Sequence, residues 1–275
     1  MVQNTQIYNI FIDTYNTRFA NQLFPLMHAI TLYGKYKGKF NKPYFKYNES
    51  IPKYCMDLLK RYFTMVSYDQ VEFLNNWNIS KQYGIKDNCI IDNSNVRFIG
   101  YCQNLSLIDE TIIREYIKIP NEVYNKINDL YGDLSDYICL HIRRGDYLYG
   151  CNTKYYNVLP KEYIARVVSK HFPNDKIICI SDDIQWCKTN LNDIQNIIFA
   201  DKDTDTISAV IVDFYIQTLT KGNICSCSSF SMAGVLLNPN INKKVIVSDP
   251  FFKTHTIFPH IKIIPEYAIK EPITI

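Results

Sequence analysis

The stretch DYICLHIRRGDY, Asp136 to Tyr147, decides the fold. From Tyr137 to Ile142 it is apolar save for one histidine, and charge follows at once in Arg143, Arg144 and Asp146. A strand covered on both faces reads as such a continuous apolar run, and covered strands belong to parallel sheets with helices on each side. In open sheets of this kind ligands lie beyond the carboxyl ends of the strands. The charge therefore falls where a ligand would sit.

Working outward, the periodicity alternates regularly from about residue 133. After the strand 137–142 the pattern predicts a helix over 161–172, a strand over 176–181, a helix over 183–191 and a strand over 195–200. A helix over 206–221, a strand over 223–227, a helix over 228–238 and a strand over 243–248 complete it. Strands alternating with helices make parallel βαβ units, whose right-handed crossovers leave the loops at the carboxyl ends on one rim. The first half is less regular: a strand at 7–13, a helix at 19–36 despite Pro25, a strand at 95–101, and helices within 110–132 broken at Pro120. The tyrosine-rich stretch 41–77 gives mixed helical signals, and the Asn-rich patch near 87–95 reads as a solvated loop. The division expected is an acceptor-side α/β domain over 1–132 and a nucleotide-binding α/β domain over 133–275.

Composition narrows the partners. With 275 residues, 47% of them hydrophobic, the chain can bury a large core. Thirty Lys and Arg against 27 Asp and Glu leave a net charge of +3, too small for the basic face that binds nucleic acid. No run approaches the length of a membrane span, and MVQNTQIYNIFIDTY lacks the pattern of a signal peptide, so no membrane insertion and a cytoplasmic location are expected. Nine cysteines without a CxxC pair, several inside apolar strands, fit a reducing compartment.

Three loops at predicted carboxyl ends carry polar groups: His141, Arg143, Arg144 and Asp146 after the first strand, Ser181, Asp182 and Asp183 after the second, Ser228 and Ser229 after the fourth. Each guanidinium offers a planar fork to phosphate oxygens, and a helix start opened by serines adds backbone donors. A carboxylate such as Asp182 can accept from an amino group on a base edge. Taken singly, these are surface ion pairs, an N-cap and a core histidine; their shared rim points to a nucleoside diphosphate.

HIRRGDY (141–147), GYCQ (100–103), SDDIQWCK (181–188) and SSFSMAG (228–234) resemble, in order, the motifs of the α-1,2-fucosyltransferases of glycosyltransferase family 11, and NTRFANQLF (16–24) resembles their GNQ motif. The resemblance implies a GT-B-like α/β fold of two Rossmann-type domains, with the donor nucleotide bound by the C-terminal one. It implies GDP-fucose as donor substrate, no cofactor and no metal, and an inverting transfer to the 2-hydroxyl of a terminal galactoside in a glycan acceptor. By the same resemblance Arg143 and Arg144 match a pair of which at least one engages the diphosphate, Asp146 matches the carboxylate that holds the arginines, and His141 with Asp182 or Asp183 reads the guanine; a base, if the reaction uses one, is Asp146 or comes from the N-terminal domain. Ser228 and Ser229 lie on the donor side, and Asn21 and Gln22 match the GNQ pair.

Where the family pattern has glycines this chain has Asn16, Thr17 and Ala20, and where it has aromatic residues this chain has Cys102, Met232 and Ala233. The latter departures imply an acceptor pocket of different shape. The rival readings are a transferase of GDP-sugars with another acceptor, O-fucosylation included; a metal-dependent transferase using Asp182 and Asp183; and a non-enzymatic adhesion module displaying Arg144-Gly145-Asp146.

Overall fold

The computed structural model describes residues 9–13, 18–38, 40–45, 53–68, 96–99, 102–201, 204, 207–253 and 262–273. Asn16, Thr17, Gly100, Tyr101, the 87–95 patch and the end of the tyrosine-rich stretch lie outside them. The chain separates into two compact units, 1–118 with 260–263, and 119–259 with 264–275.

The first unit contains β1 (Ile10–Asp13), α1 (Phe19–Lys35), β2 (Tyr44–Phe45), α2 (Lys53–Tyr62), β3 (Val96–Ile99) and α3 (Glu110–Tyr116). Its strands are parallel in the order β2-β1-β3. Helix α1 is apolar around most of its circumference and is buried accordingly, with Leu23, Phe24, Leu26 and Met27 fully enclosed. His28 on the same helix reaches the Cys102 carbonyl through Nε2 at 2.7 Å. Burial pulls its imidazole down to about 4, so the ring is neutral and Nε2–H is the donor. Cys102 itself adopts φ +47°, a left-handed backbone that few side-chain-bearing residues take.

The second unit runs α4 (Asn121–Tyr131), β4 (Tyr137–Ile142), α5 (Lys161–His171), β5 (Lys176–Ser181), α6 (Ile184–Asn190), β6 (Ile197–Phe199), α7 (Ala209–Leu219), β7 (Gly222–Cys225), α8 (Ser229–Leu237), β8 (Lys244–Asp249) and β9 (Ile269–Pro272). All six strands are parallel, in the order β6-β5-β4-β7-β8-β9. Counted from β4 this is the doubly wound order 3-2-1-4-5-6, and the winding reverses between β4 and β7. Two parallel α/β units match the GT-B-like class expected. The units divide before α4, because α4 packs on α7 and so lies with the second unit rather than ending the first.

Side chains along β4 alternate between two layers. Ile138, Leu140 and Ile142 join Tyr163, Ile164 and Val167 of α5 in one core, while His141 turns to the opposite layer and meets Phe230 of α8 at a ring separation of 5.2 Å. Strand β7 opens on Gly222 because the sheet leaves no room there: a Cβ would stand 2.7 Å from the Lys244 carbonyl oxygen and 3.0 Å from Ile138 Cδ1. At the far edge, β9 is held to α5 by Glu271, which accepts from Lys170 Nζ at 2.7 Å and pairs with His171 Nε2 at 2.6 Å. Among the described residues no helix is long and apolar enough to cross a membrane.

Candidate functional site

The loop that leaves β4 is clasped to the end of β7 by one serine. Ser226 Oγ donates to the His141 carbonyl at 2.7 Å and accepts from the Arg143 backbone N–H at 2.8 Å. This fixes the chain direction at the point where the two arginines begin, directly over the reversal of the sheet.

Both arginines are then aimed by carboxylates. The Arg143 guanidinium donates to Asp146 Oδ1 at 2.6 Å through one terminal nitrogen and pairs with Asp182 Oδ2 at 2.9 Å through the other. Asp182 also takes the Arg144 backbone N–H on Oδ1 at 2.9 Å. Arg144 donates through Nε to Asp183 Oδ2 at 3.0 Å, and its guanidinium lies over the Trp186 ring, 3.8 Å from the centroid. Asp183 caps α6, with Oδ1 accepting from the Trp186 N–H at 3.2 Å. Asp146 is in turn approached by Asn152 Nδ2 at 3.3 Å from Oδ2.

The division of labour follows from planar geometry. Arg143 spends both terminal nitrogens on carboxylates, whereas Arg144 uses only Nε and the face of its guanidinium, leaving its two amino groups without a partner among the described residues. A forked donor held in place with its terminal groups open suits an incoming phosphate. On the β7 side of the same rim, α8 begins at Ser228, whose Oγ accepts from the Phe230 N–H at 3.2 Å, so the helix start also stands at the carboxyl ends of the strands. Tyr147 closes the loop through a hydrogen bond from its hydroxyl to the Cys227 carbonyl at 2.8 Å and a stack on Tyr156 at 4.3 Å.

His141 is buried, and burial depresses its imidazole to about 3, so it is neutral over any working pH. Its Nδ1 shares a 2.5 Å hydrogen bond with Ser231 Oγ, and Nε2 has no partner among the described residues. One further carboxylate lies in this layer. Asp213 of α7 is half-buried, accepts no hydrogen bond from any described residue, and is pushed by burial up to about 8.

The second unit thus brings together His141, Arg143, Arg144, Asp146, Asp182, Asp183, Ser228 and Ser229 at one rim. Asp182 and Asp183 face the arginines rather than standing open to a base or a cation, which departs from the base-reading role expected for one of them. Among the described residues no group of three or more His, Cys, Asp or Glu side chains is placed to hold a metal ion. Arg144 and Asp146 are turned into these ion pairs, so the Arg-Gly-Asp tripeptide is not displayed as an adhesion motif would be. Asn21 and Gln22 belong to the first unit: Asn21 Oδ1 accepts from Gln103 Nε2 at 3.0 Å, and Gln22 is fully enclosed. Met232 and Ala233 are also fully buried in α8, so they are core residues and not part of an acceptor pocket. Ser226, Trp186 and Tyr147 hold the arginine loop and its cations and are the contributors that sequence reasoning missed.

The Trp186 platform gives a direct test. Trp186→Ala removes the surface on which Arg144 lies, and a partly desolvated cation–π contact is worth about 1–2 kcal/mol. Nucleotide affinity measured by calorimetry should fall about five- to thirtyfold. Unchanged affinity would mean that Arg144 does not depend on its platform.

Residues 14–255 match the model of Glycosyl transferase family 11. The O-antigen biosynthesis glycosyltransferase WbnK of Escherichia coli is 28% identical over 187 residues, covering 62% of this chain and 59% of that protein. An Alpha-1,2-colitosyltransferase of Escherichia coli is 30% identical over 190 residues, covering 63% and 62% respectively. The matched stretch spans about three-fifths of the length of these curated relatives. Among solved structures, the fucosyltransferase NodZ from Bradyrhizobium shares the fold at a TM-score of 0.50 and 17% identity, over 84% of this chain and 94% of that one.

Proposed function

Because the chain belongs to glycosyl transferase family 11, we propose that it moves L-fucose from GDP-fucose to the 2-hydroxyl of a terminal galactoside, with inversion and without a metal ion. The observation that carries this reading is the arginine pair, aimed by three aspartates at the reversal point of the sheet, on the rim from which α8 also starts. The acceptor oxygen attacks C1 of the fucosyl group as the bond from C1 to the β-phosphate oxygen breaks and its electron pair leaves on GDP, and the proton of the attacking hydroxyl passes to water. The growing charge on that phosphate is what preorganised donors stabilise best, since they need no reorganisation as it forms. Arg144, with two amino groups open, and the N-terminal donors of α8 are suited to this; Arg143 fixes the loop. Asp146, bound to Arg143 through one oxygen and approached by Asn152 at the other, is fitted to hold the arginine rather than to take the acceptor's proton.

The names of the two relatives support a glycan acceptor and a 1,2 linkage. One of them also favours a second reading of the donor, GDP-colitose, since colitose is L-fucose without its 3-hydroxyl.

Thermal melting tests the donor first. A ligand at about a hundred times its Kd adds about 2.7 kcal/mol of stability, so GDP and GDP-fucose should raise Tm by several degrees and UDP should not. Incubation of labelled GDP-fucose and GDP-colitose with a panel of β-galactosides, followed by NMR of the product, then assigns sugar, acceptor and linkage. Activity should persist in excess EDTA. Stabilisation by UDP-sugars alone, or a linkage other than 1,2, would overturn the reading.

A further inference from the structure

We infer that Tyr149, with Leu148 beside it, is the platform on which the acceptor galactoside lies, the tyrosine ring stacking on the apolar face of the sugar; this rests on the galactoside reading above. A tyrosine ordinarily buries its ring and leaves only the hydroxyl wet. Tyr149 is instead 72% exposed, and Leu148 next to it is 39% exposed. No hydrogen bond, ion pair or ring contact holds the Tyr149 side chain among the described residues.

The backbone beneath them is nevertheless fixed. The segment after β4 runs along the rim: the Tyr147 hydroxyl is bonded to the Cys227 carbonyl past the end of β7, and Tyr156 bridges to Phe252 past the end of β8. Between these anchors the N–H groups of Tyr147 and Leu148 donate to the Arg144 carbonyl at 2.8 and 3.2 Å, and that of Tyr149 donates to the Asp146 carbonyl at 3.3 Å. Asn152 Nδ2 reaches the same Asp146 carbonyl at 3.2 Å, and Lys253 Nζ donates to the Thr153 carbonyl at 2.9 Å. The pair is thus mounted on the backbone of the arginine turn itself. Single exposed apolar residues are ordinary; a rigidly mounted pair on the rim of the transfer site is a contact surface. Ile241 and Ile269, also exposed, stand before β8 and at the start of β9, at the other end of the sheet.

Position assigns the surface to the acceptor. In a displacement with inversion the attacking hydroxyl enters opposite the leaving phosphate, so the acceptor lies outward from the phosphate donors, beyond the fucosyl group. Arg144 keeps only 15% of its side chain exposed, whereas Tyr149 stands out from the same turn. Galactose offers a matching face. Its axial 4-hydroxyl leaves C3–H, C4–H and C5–H together on one side, an apolar patch that a tyrosine ring covers at small entropic cost. In glucose the 4-hydroxyl is equatorial, C4–H points to the other side and the patch is broken. Met232 and Ala233 lie in the core and offer no ring; Tyr149 does.

Steady-state kinetics on the full chain with GDP-fucose test this, with lactose as acceptor and cellobiose, its epimer at C4 of the terminal sugar, as competitor. Tyr149→Ala should raise the KM for lactose about tenfold, the loss of one aromatic stack, while GDP affinity by calorimetry stays within about twofold. The gap between the lactose KM and the cellobiose inhibition constant should shrink by a similar factor, because only lactose carries the patch that the ring covers. Tyr149→Phe keeps the ring and should hold the lactose KM within about threefold of the unmodified protein. The side chain is exposed, so Tm serves as the folding control and should move by no more than a few degrees in either variant. An unchanged lactose KM in Tyr149→Ala, or an unchanged gap between the two sugars, overturns the platform. So does a loss of GDP affinity in its place, which gives the ring to the donor, or an equal loss in Tyr149→Phe, which leaves only the hydroxyl. If the unmodified protein binds GDP and does not transfer to lactose, a terminal galactoside is not the unit recognised, and the acceptor half of the reading above fails with this one; if it transfers to lactose and Tyr149→Ala does so equally well, only the platform fails.

Discussion

Arg143→Lys should lower turnover by about a hundredfold or more while leaving the melting temperature within a few degrees of the parent. The size follows from what Arg143 holds. Its two terminal nitrogens reach Asp146 and Asp182 at 2.6 and 2.9 Å on two different segments of chain, a span that a planar fork provides and a single ammonium does not. With lysine, one carboxylate is released. If Asp182 is the one released, the Arg144 N–H bonded to it at 2.9 Å is freed as well, and the donor proposed for the phosphate loses its aim. Removing one preorganised charge-stabilising donor costs about 10²–10³ in turnover, and here the loss of Arg143 also disturbs Arg144. The charge is conserved in Arg143→Lys, so a simple electrostatic account predicts a small effect and the positioning account a large one. Steady-state kinetics with melting as the folding control decides between them; turnover within about threefold of the parent would reduce the cluster to a surface ion pair of the kind worth under about 1 kcal/mol.

Much of the second unit is legible from periodicity because its forces are local and repetitive. Strands β4, β5 and β8 are six-residue segments with apolar, buried centres, and α5 and α7 carry apolar stripes or apolar lengths that only a core accommodates. Pro160 before α5 and the aspartate before α6 mark helix starts in the manner expected of caps. Strand β9 was not legible: IKEP has no apolar run, its one buried side chain is Glu271, and it is a strand because Lys170 and His171 satisfy that carboxylate across the sheet edge. A proline at its end fits an edge strand, which no neighbour needs to read.

The site was legible as a list of residues and not as a set of roles. Sequence spacing brings His141, the arginines and the aspartates to one rim, yet it does not say which carboxylate faces which cation. One of Asp182 and Asp183 is expected to read the base from its place after a strand and in a family motif; in the structure both carboxylates face the arginines. The place of Met232 and Ala233 beside a motif suggested contact with a sugar, and the helical period turns both into the core.

Gly145→Ala should reduce turnover about ten- to a hundredfold although glycine offers no chemistry. A Cβ at position 145 would run into the Asp182 carboxylate, and that carboxylate cannot swing aside freely, because Arg143 and the Arg144 N–H grip its two oxygens. Either the carboxylate gives up these bonds or the loop after β4 backs away from the sheet. Both outcomes move the arginines by a fraction of an ångström to an ångström, and misplacement on that scale costs about a hundredfold in a reaction that depends on held geometry. The backbone at Gly145 is not among the left-handed glycines, Gly38, Gly132 and Gly150, so the substitution tests crowding and not backbone strain. The route of the effect is open to a double-mutant cycle. If Gly145→Ala acts through Asp182, then adding it to Asp182→Ala, where the obstructed carboxylate is already gone, should cost little more than Asp182→Ala alone. Full additivity would show instead that the methyl group obstructs the bound donor directly. That result would place the phosphate against the Gly145 backbone and shift the anion site from the open end of Arg144 toward the turn itself.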